Sequence, residues 1–109
     1  MNKTYDYIIV GAGSAGCLLA NRLSADPNNN VLLLEAGGKD NNIWLHIPVG
    51  YFKTMNNPKF DWMYKLEKDQ GVNNRRIDWP RGKTLGGSSA LNGLLYIRGD
   101  KHDYDNWEH

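Results

Sequence analysis

Six residues near the start of the chain, Gly11-Ala12-Gly13-Ser14-Ala15-Gly16, have the spacing GxGxxG. In that spacing the first glycine permits a tight turn and the second lets the main chain approach a pyrophosphate. The third lets a helix pack on the strand before it. Free amide N–H groups and the positive end of the helix dipole then face two phosphate charges. Glu35 follows 19 positions after Gly16, where a carboxylate accepts hydrogen bonds from an adenosine ribose and disfavours a 2′-phosphate. The bland alternative is a glycine-rich turn with no ligand and a glutamate that merely ends a strand. Three coinciding requirements favour a dinucleotide site, although the motif does not separate a nicotinamide cofactor from a flavin one.

A second glycine motif lies downstream: Arg81-Gly82-Lys83-Thr84-Leu85-Gly86-Gly87-Ser88-Ser89-Ala90-Leu91-Asn92-Gly93. It brings two adjacent glycines, hydroxyls and two cations to a loop that runs into a helix. Paired glycines let the main chain pass close to a flat ring, and amides at the helix start can stabilise negative charge developing there. The competing reading is an ordinary Gly-Gly turn before a serine-capped helix.

Regular elements must position these loops. Residues 5–10 form an apolar, β-branched and aromatic run that stops at Gly11, predicting a strand buried on both faces. Helix-compatible spacing over 14–25 is stopped by Asp26-Pro27-Asn28-Asn29-Asn30, and 31–35 predicts a second strand. Strand, helix and strand over this length predict a right-handed βαβ unit with parallel strands, an α/β fold of Rossmann type. Residues 37–78 lack a sustained period and predict an irregular excursion with short helical turns, with one strand over 62–67. Leu91, Leu94 and Leu95 predict a helix over 88–97, and another begins near residue 101.

The 109 residues fit one small domain, and two large lobes around a deep cleft are excluded within them. Thirteen basic against twelve acidic residues leave a net charge of +1, no field for nucleic acid or anionic lipid. Hydrophobic content of 40% argues against a disordered tail. The single cysteine, Cys17, excludes an internal disulfide and a cysteine-built metal site, and leans toward the cytoplasm, with peripheral membrane association left open. Residues 7–20 have some features of a secretory signal, or of a lipoprotein box at Ser14-Ala15-Gly16-Cys17. Glycines at 11, 13 and 16 interrupt the apolar run, so residue 1 is read as a mature start. No stretch reaches the ~20 apolar residues of a membrane span.

Taken in order, the motifs carry a family resemblance. They run from Tyr5-Asp6-Tyr7-Ile8-Ile9-Val10 into the first glycine loop, then Leu34-Glu35-Ala36-Gly37, then Trp79-Pro80-Arg81-Gly82-Lys83 into Gly86-Gly87-Ser88-Ser89. Asn92-Gly93, Tyr96-Ile97-Arg98-Gly99, Asp103-Tyr104 and Trp107 follow. The chain thereby resembles, over its whole length, the N-terminal part of glucose-methanol-choline (GMC) flavoenzymes, most closely the choline and alcohol dehydrogenase-like branch. The resemblance implies FAD, with Gly11, Gly13, Ser14, Ala15 and Gly16 at the pyrophosphate and Glu35 with Ala36 at the ribose. It further implies Arg81, Gly82, Leu85, Gly86, Gly87 and Ser88 wrapped around the cofactor, and Asn92 with Gly93 near the flavin ring. The two bends would then hold opposite ends of one FAD. Some relatives carry, one place before the asparagine, a histidine that bonds covalently to the flavin. Here that residue is Leu91, which has no nucleophilic atom, so non-covalent FAD is expected.

Other residues read more plainly. Cys17 is expected to be core filler in the first helix. His46, His102 and His109 lack a ligand spacing, and the acidic residues around 102–109 read as a solvated face. Arg75, Arg76, Arg81 and Lys83 form the one basic cluster, with cofactor phosphate as its counter-charge. Trp44, Trp62, Trp79 and Trp107 read as core or ring-packing residues, and Tyr104 and Trp107 as neighbours on one helix face. Alcohol oxidation needs a general base, and none is persuasive here. In the family that base is a histidine near the C-terminus of a much longer chain, so this chain reads as part of a longer enzyme, lacking the substrate domain and inactive alone. The substrate is a small alcohol, choline or another; the electron acceptor stays open. A nicotinamide-dependent dehydrogenase, which leaves the second motif unused, and a non-catalytic nucleotide-binding module are the alternatives.

Overall fold

The computed structural model of the protein describes residues 3–108. Its first third is the predicted βαβ unit: β1 (Tyr7–Val10), α1 (Ser14–Leu23) and β2 (Val31–Leu34). The strands are parallel, in register from Tyr7 opposite Val31 to Val10 opposite Leu34. Asp6 fixes one end of that register: its amide donates to Asn30 O at 2.9 Å and its Oδ2 accepts the Asn30 amide at 2.8 Å. Helix α1 stops close to where its sequence predicts, as Asn29 Nδ2 donates to Leu23 O at 2.9 Å and the Asp26 carboxylate takes the Asn28 amide.

The excursion holds α2 (Ile43–His46), α3 (Tyr51–Thr54) and several 3-10 turns. The strand expected over 62–67 shrinks to β3 (Tyr64–Lys65), paired antiparallel with β4 (Asp78–Trp79). Met63, in the left-handed region at φ 59°, breaks the extended run just before it. Helix α4 (Lys101–Asn106) begins where expected, its N-cap Asp100 accepting the His102 amide at 2.8 Å. Tyr104 on this helix and its C-cap residue Trp107 pack edge to face, 5.3 Å between centroids.

Several expectations are corrected. The helix over 88–97 is a single 3-10 turn, Gly87–Ala90. Asn92 Oδ1 captures the Leu94 amide at 3.0 Å and Leu94 turns to φ 58°, so local side-chain bonding defeats the leucine spacing. Ser88 caps nothing: the N-cap is Gly86, and Ser88 Oγ instead accepts the Gly82 amide at 3.1 Å.

The first strand is not covered on both faces. Helix α1 packs on β1 and β2, yet Ile8 is 60% and Val10 83% exposed. Among the described residues the buried apolar side chains are Ala12, Phe60 and Leu91. The radius of gyration, 17.8 Å, exceeds the roughly 13 Å of a compact chain this long.

Cys17 is exposed rather than core filler. Gly16 takes the strand-facing place, where a Cβ would strike the Gly11 carbonyl. The four tryptophans are likewise exposed by 39% or more, and Trp62, Trp79 and Trp107 pack against a ring or a cation rather than in a core.

Candidate functional site

Both crossover loops leave the sheet at the same end, after Val10 and Leu34, and hydrogen bonds lock them together. Gly11 N–H donates to Leu34 O at 2.7 Å. The Glu35 carboxylate accepts Ala12 N–H through Oε2 and Gly37 N–H through Oε1, each at 2.7 Å. The residue expected to meet a ribose thus also braces the glycine loop from below. Each oxygen keeps a further lone pair for a ligand hydroxyl. Spacing alone did not reveal the brace, because it depends on where the Ala12 amide points.

Helix α1 starts without a side-chain cap at Gly13. Its first i to i−4 bond runs from Cys17 N–H to Gly13 O at 2.9 Å, so the amides of Ser14, Ala15 and Gly16 precede the helical ladder. They stand at the positive end of the dipole of a ten-residue helix.

The second bend lies directly on the first. Gly86 N–H donates to the buried Ala12 carbonyl at 2.8 Å. Gly87, at φ 56°, approaches Gly13 so closely that a Cβ would stand 2.8 Å from Gly13 Cα. Leu85 N–H and Thr84 Oγ1 both donate to Gly38 O, at 3.0 and 3.1 Å, and Thr84 is fully buried. The bends, expected at opposite ends of a ligand, are in mutual contact.

Between them opens a cleft of about 610 Å³. Gly11, Gly13, Glu35 and Ala36 line one side and Arg81, Gly82, Gly87 and Ser88 the other, with Trp62 and Tyr64 beside them. Asn92 and Gly93 line a second cavity of about 380 Å³, which shares Arg81 and Ser88 with the first. Leu85, Gly86 and the first-turn residues Ser14, Ala15 and Gly16 line neither. The buried Leu91 borders the second.

The basic cluster divides. Arg76 pairs with Glu67 at 3.7 Å and Arg75 Nε donates to Val72 O, both away from the cleft. Arg81 lies 4.7 Å over the Trp79 ring and Lys83 4.7 Å over Trp62, which in turn stacks on Tyr64. His46 Nε2 is bonded to Asp40 O, His102 is exposed on α4, and His109 lies outside the described residues. Among the described residues no helix is long and apolar enough to cross a membrane.

Asp61, which sequence reasoning passed over, is 2% exposed and accepts three amides: Asn56 at 2.8 Å, Met63 at 3.0 Å and Arg81 at 3.0 Å. Burial pushes its pKa up, but the three N–H donors outweigh that and hold it below the ordinary aspartate value.

Comparison with known proteins places this geometry. The chain is 57% identical over 104 residues to an alcohol dehydrogenase [acceptor] of Pseudomonas putida, covering 95% of this chain and 19% of that one. It is 51% identical over 107 residues to an oxygen-dependent choline dehydrogenase of Photobacterium profundum, covering 98% and 19%. It therefore spans about a fifth of the length of the curated relatives it matches. The crystal structure of pyridoxine 4-oxidase from Mesorbium loti superposes with a TM-score of 0.84 at 40% identity, over 95% of this chain and 20% of that one. The family model described as GMC oxidoreductase matches residues 5–109, and the chain belongs to the GMC oxidoreductase family.

Proposed function

We propose that this chain is the FAD-binding portion of a flavin-dependent oxidoreductase that acts on the CH–OH group of a small alcohol, choline or another. The observation that carries the reading is the contact of Gly86 and Gly87 with Ala12 and Gly13, which joins two glycine loops into one cleft. The donor set fits the cofactor. Gly13, which lines the cleft, opens α1 and so turns the positive end of that helix toward it, which suits a pyrophosphate, and the spare lone pairs of Glu35 suit a ribose diol. Gly87, where a side chain has no room, keeps the wall flat. The neighbouring cavity at Asn92 and Gly93 adjoins the first through Arg81 and Ser88, and suits the flavin end.

Bound there, FAD would supply the acceptor, at its N5, for the hydride that an alcohol carbon gives up. This chain's part is to bind and orient. Arg81 and the α1 amides offset phosphate charge, and Glu35 selects an unphosphorylated ribose. A general base is expected from outside these residues, since no histidine among those described lines either cavity. The expected compartment is the cytoplasm. A nicotinamide-dependent reading uses the first bend alone and gives the close contact of the second no role in binding.

The test is the visible spectrum of the purified complete gene product, followed by dye reduction with choline and with simple alcohols. A flavin spectrum and alcohol-dependent reduction are expected. A colourless protein that reduces NAD instead would overturn the assignment.

A further inference from the structure

We propose that Asp61 is a positioning residue for the cofactor cleft: it fixes the main chain of Arg81 and thereby sets where the Arg81 side chain meets the cofactor. The role rests on the flavin reading above. Asp61 sits at the centre of a crossing between two extended segments. On either side of it Trp62 N–H donates to Arg81 O at 2.9 Å and Lys83 N–H donates to Phe60 O at 2.7 Å. Its Oδ1 is shared by the Met63 and Arg81 amides, and its Oδ2 takes the Asn56 amide. Two of those three donors, Asn56 at φ 57° and Met63 at φ 59°, are non-glycine residues in the left-handed region. Such conformations persist where the surroundings over-determine them.

The charge is unusual in its setting. Among the described residues Asp61 has no cationic side chain in salt-bridge range, so backbone amides alone stabilise a buried anion. A loop that needed only closure could use an asparagine or a backbone turn. Three amides converging on one carboxylate specify position more tightly, and what they position is the arm whose arginine borders both cavities. The same anchor holds Trp62, which follows Asp61 directly and also lines the larger cleft.

Asp61→Asn isolates the role, since it keeps the shape but turns one oxygen into a donor facing an amide. FAD affinity of the apoprotein is measured by fluorescence titration, with the visible circular dichroism of bound flavin, in the complete gene product. The same substitution is then made in an Arg81→Ala background. Asp61→Asn is expected to weaken FAD binding about tenfold and to alter the flavin dichroism. In the Arg81→Ala background its effect is expected to shrink to about twofold or less, because a positioned group already removed cannot be displaced. Wild-type affinity in Asp61→Asn, an equal loss in both backgrounds, or normal FAD binding by Arg81→Ala alone would each overturn the role. Where Asp61→Asn does not fold, Asp61→Glu, which keeps the charge and displaces both oxygens, takes its place in both backgrounds, and the same outcomes support or overturn the role. If the unaltered protein takes up no FAD at all, the flavin reading itself fails, and this role with it, before any variant is compared.

Discussion

Glu35 and Ala12 lie 23 positions apart in the chain, and the carboxylate of one accepts the amide of the other at 2.7 Å. With the Gly37 amide on the second oxygen, the side chain joins the turn after β1 to the turn after β2. Glu35→Gln places an NH2 group against one of these two amides, leaving a half-buried donor facing a donor. We expect a loss of about 1–3 kcal/mol in stability, together with roughly tenfold weaker FAD binding, read by urea unfolding and flavin titration respectively.

Gly87→Ala tests the contact between the two bends. The new methyl would stand 2.8 Å from Gly13 Cα, at a residue held at φ 56°. Left-handed backbone at a non-glycine residue costs about 1 kcal/mol, and relieving the overlap opens the cleft. We expect a lowered melting temperature and FAD affinity reduced by more than about tenfold. Unchanged affinity would separate the two bends functionally.

Asp61 gives acid sensitivity a definite sign. Its folded pKa lies below the ordinary value of 3.8, so ionised Asp61 favours the folded state. That contribution is complete above the unfolded pKa and is lost as pH falls through the folded one. Stability measured by urea midpoint from neutral pH down to about pH 2.5 should therefore drop more steeply in the unaltered protein than in Asp61→Asn.

Leu91, buried beside Asn92 at the second cavity, has no nucleophilic atom, so FAD held there is expected to carry no covalent tether at this position. Acid precipitation of the holoprotein is expected to leave all its flavin in the supernatant. Yellow colour in the pellet would contradict this.

Much of the nucleotide-binding half was legible because its signals are local. Glycines at fixed offsets, an apolar run on either side and an Asp-Pro stop fix β1, α1 and β2 to within about two residues. The leucines at 91, 94 and 95 misled for the opposite reason: their period is helical, but the Asn92 side chain bonds the Leu94 amide and takes the chain out of the helix. Asp61, set between Phe60 and Trp62, reads in sequence as one polar residue in an aromatic stretch. Its importance arises only when Arg81, 20 positions away, comes within 3.0 Å. Likewise the apolar run of β1 predicted coverage on both faces, whereas burial depends on what packs there, and Val10 stands open.

The brace that Gly86 and Gly87 give to the first glycine loop has a bearing on synthesis at the ribosome. The turn after β1 emerges early, yet the residues that clamp it are made only after most of this chain has been translated. A nascent polypeptide halted before residue 86 therefore has the strand and helix of a nucleotide pocket without its closing clasp, and the cradle is finished late, by a long-range contact rather than by its own motif.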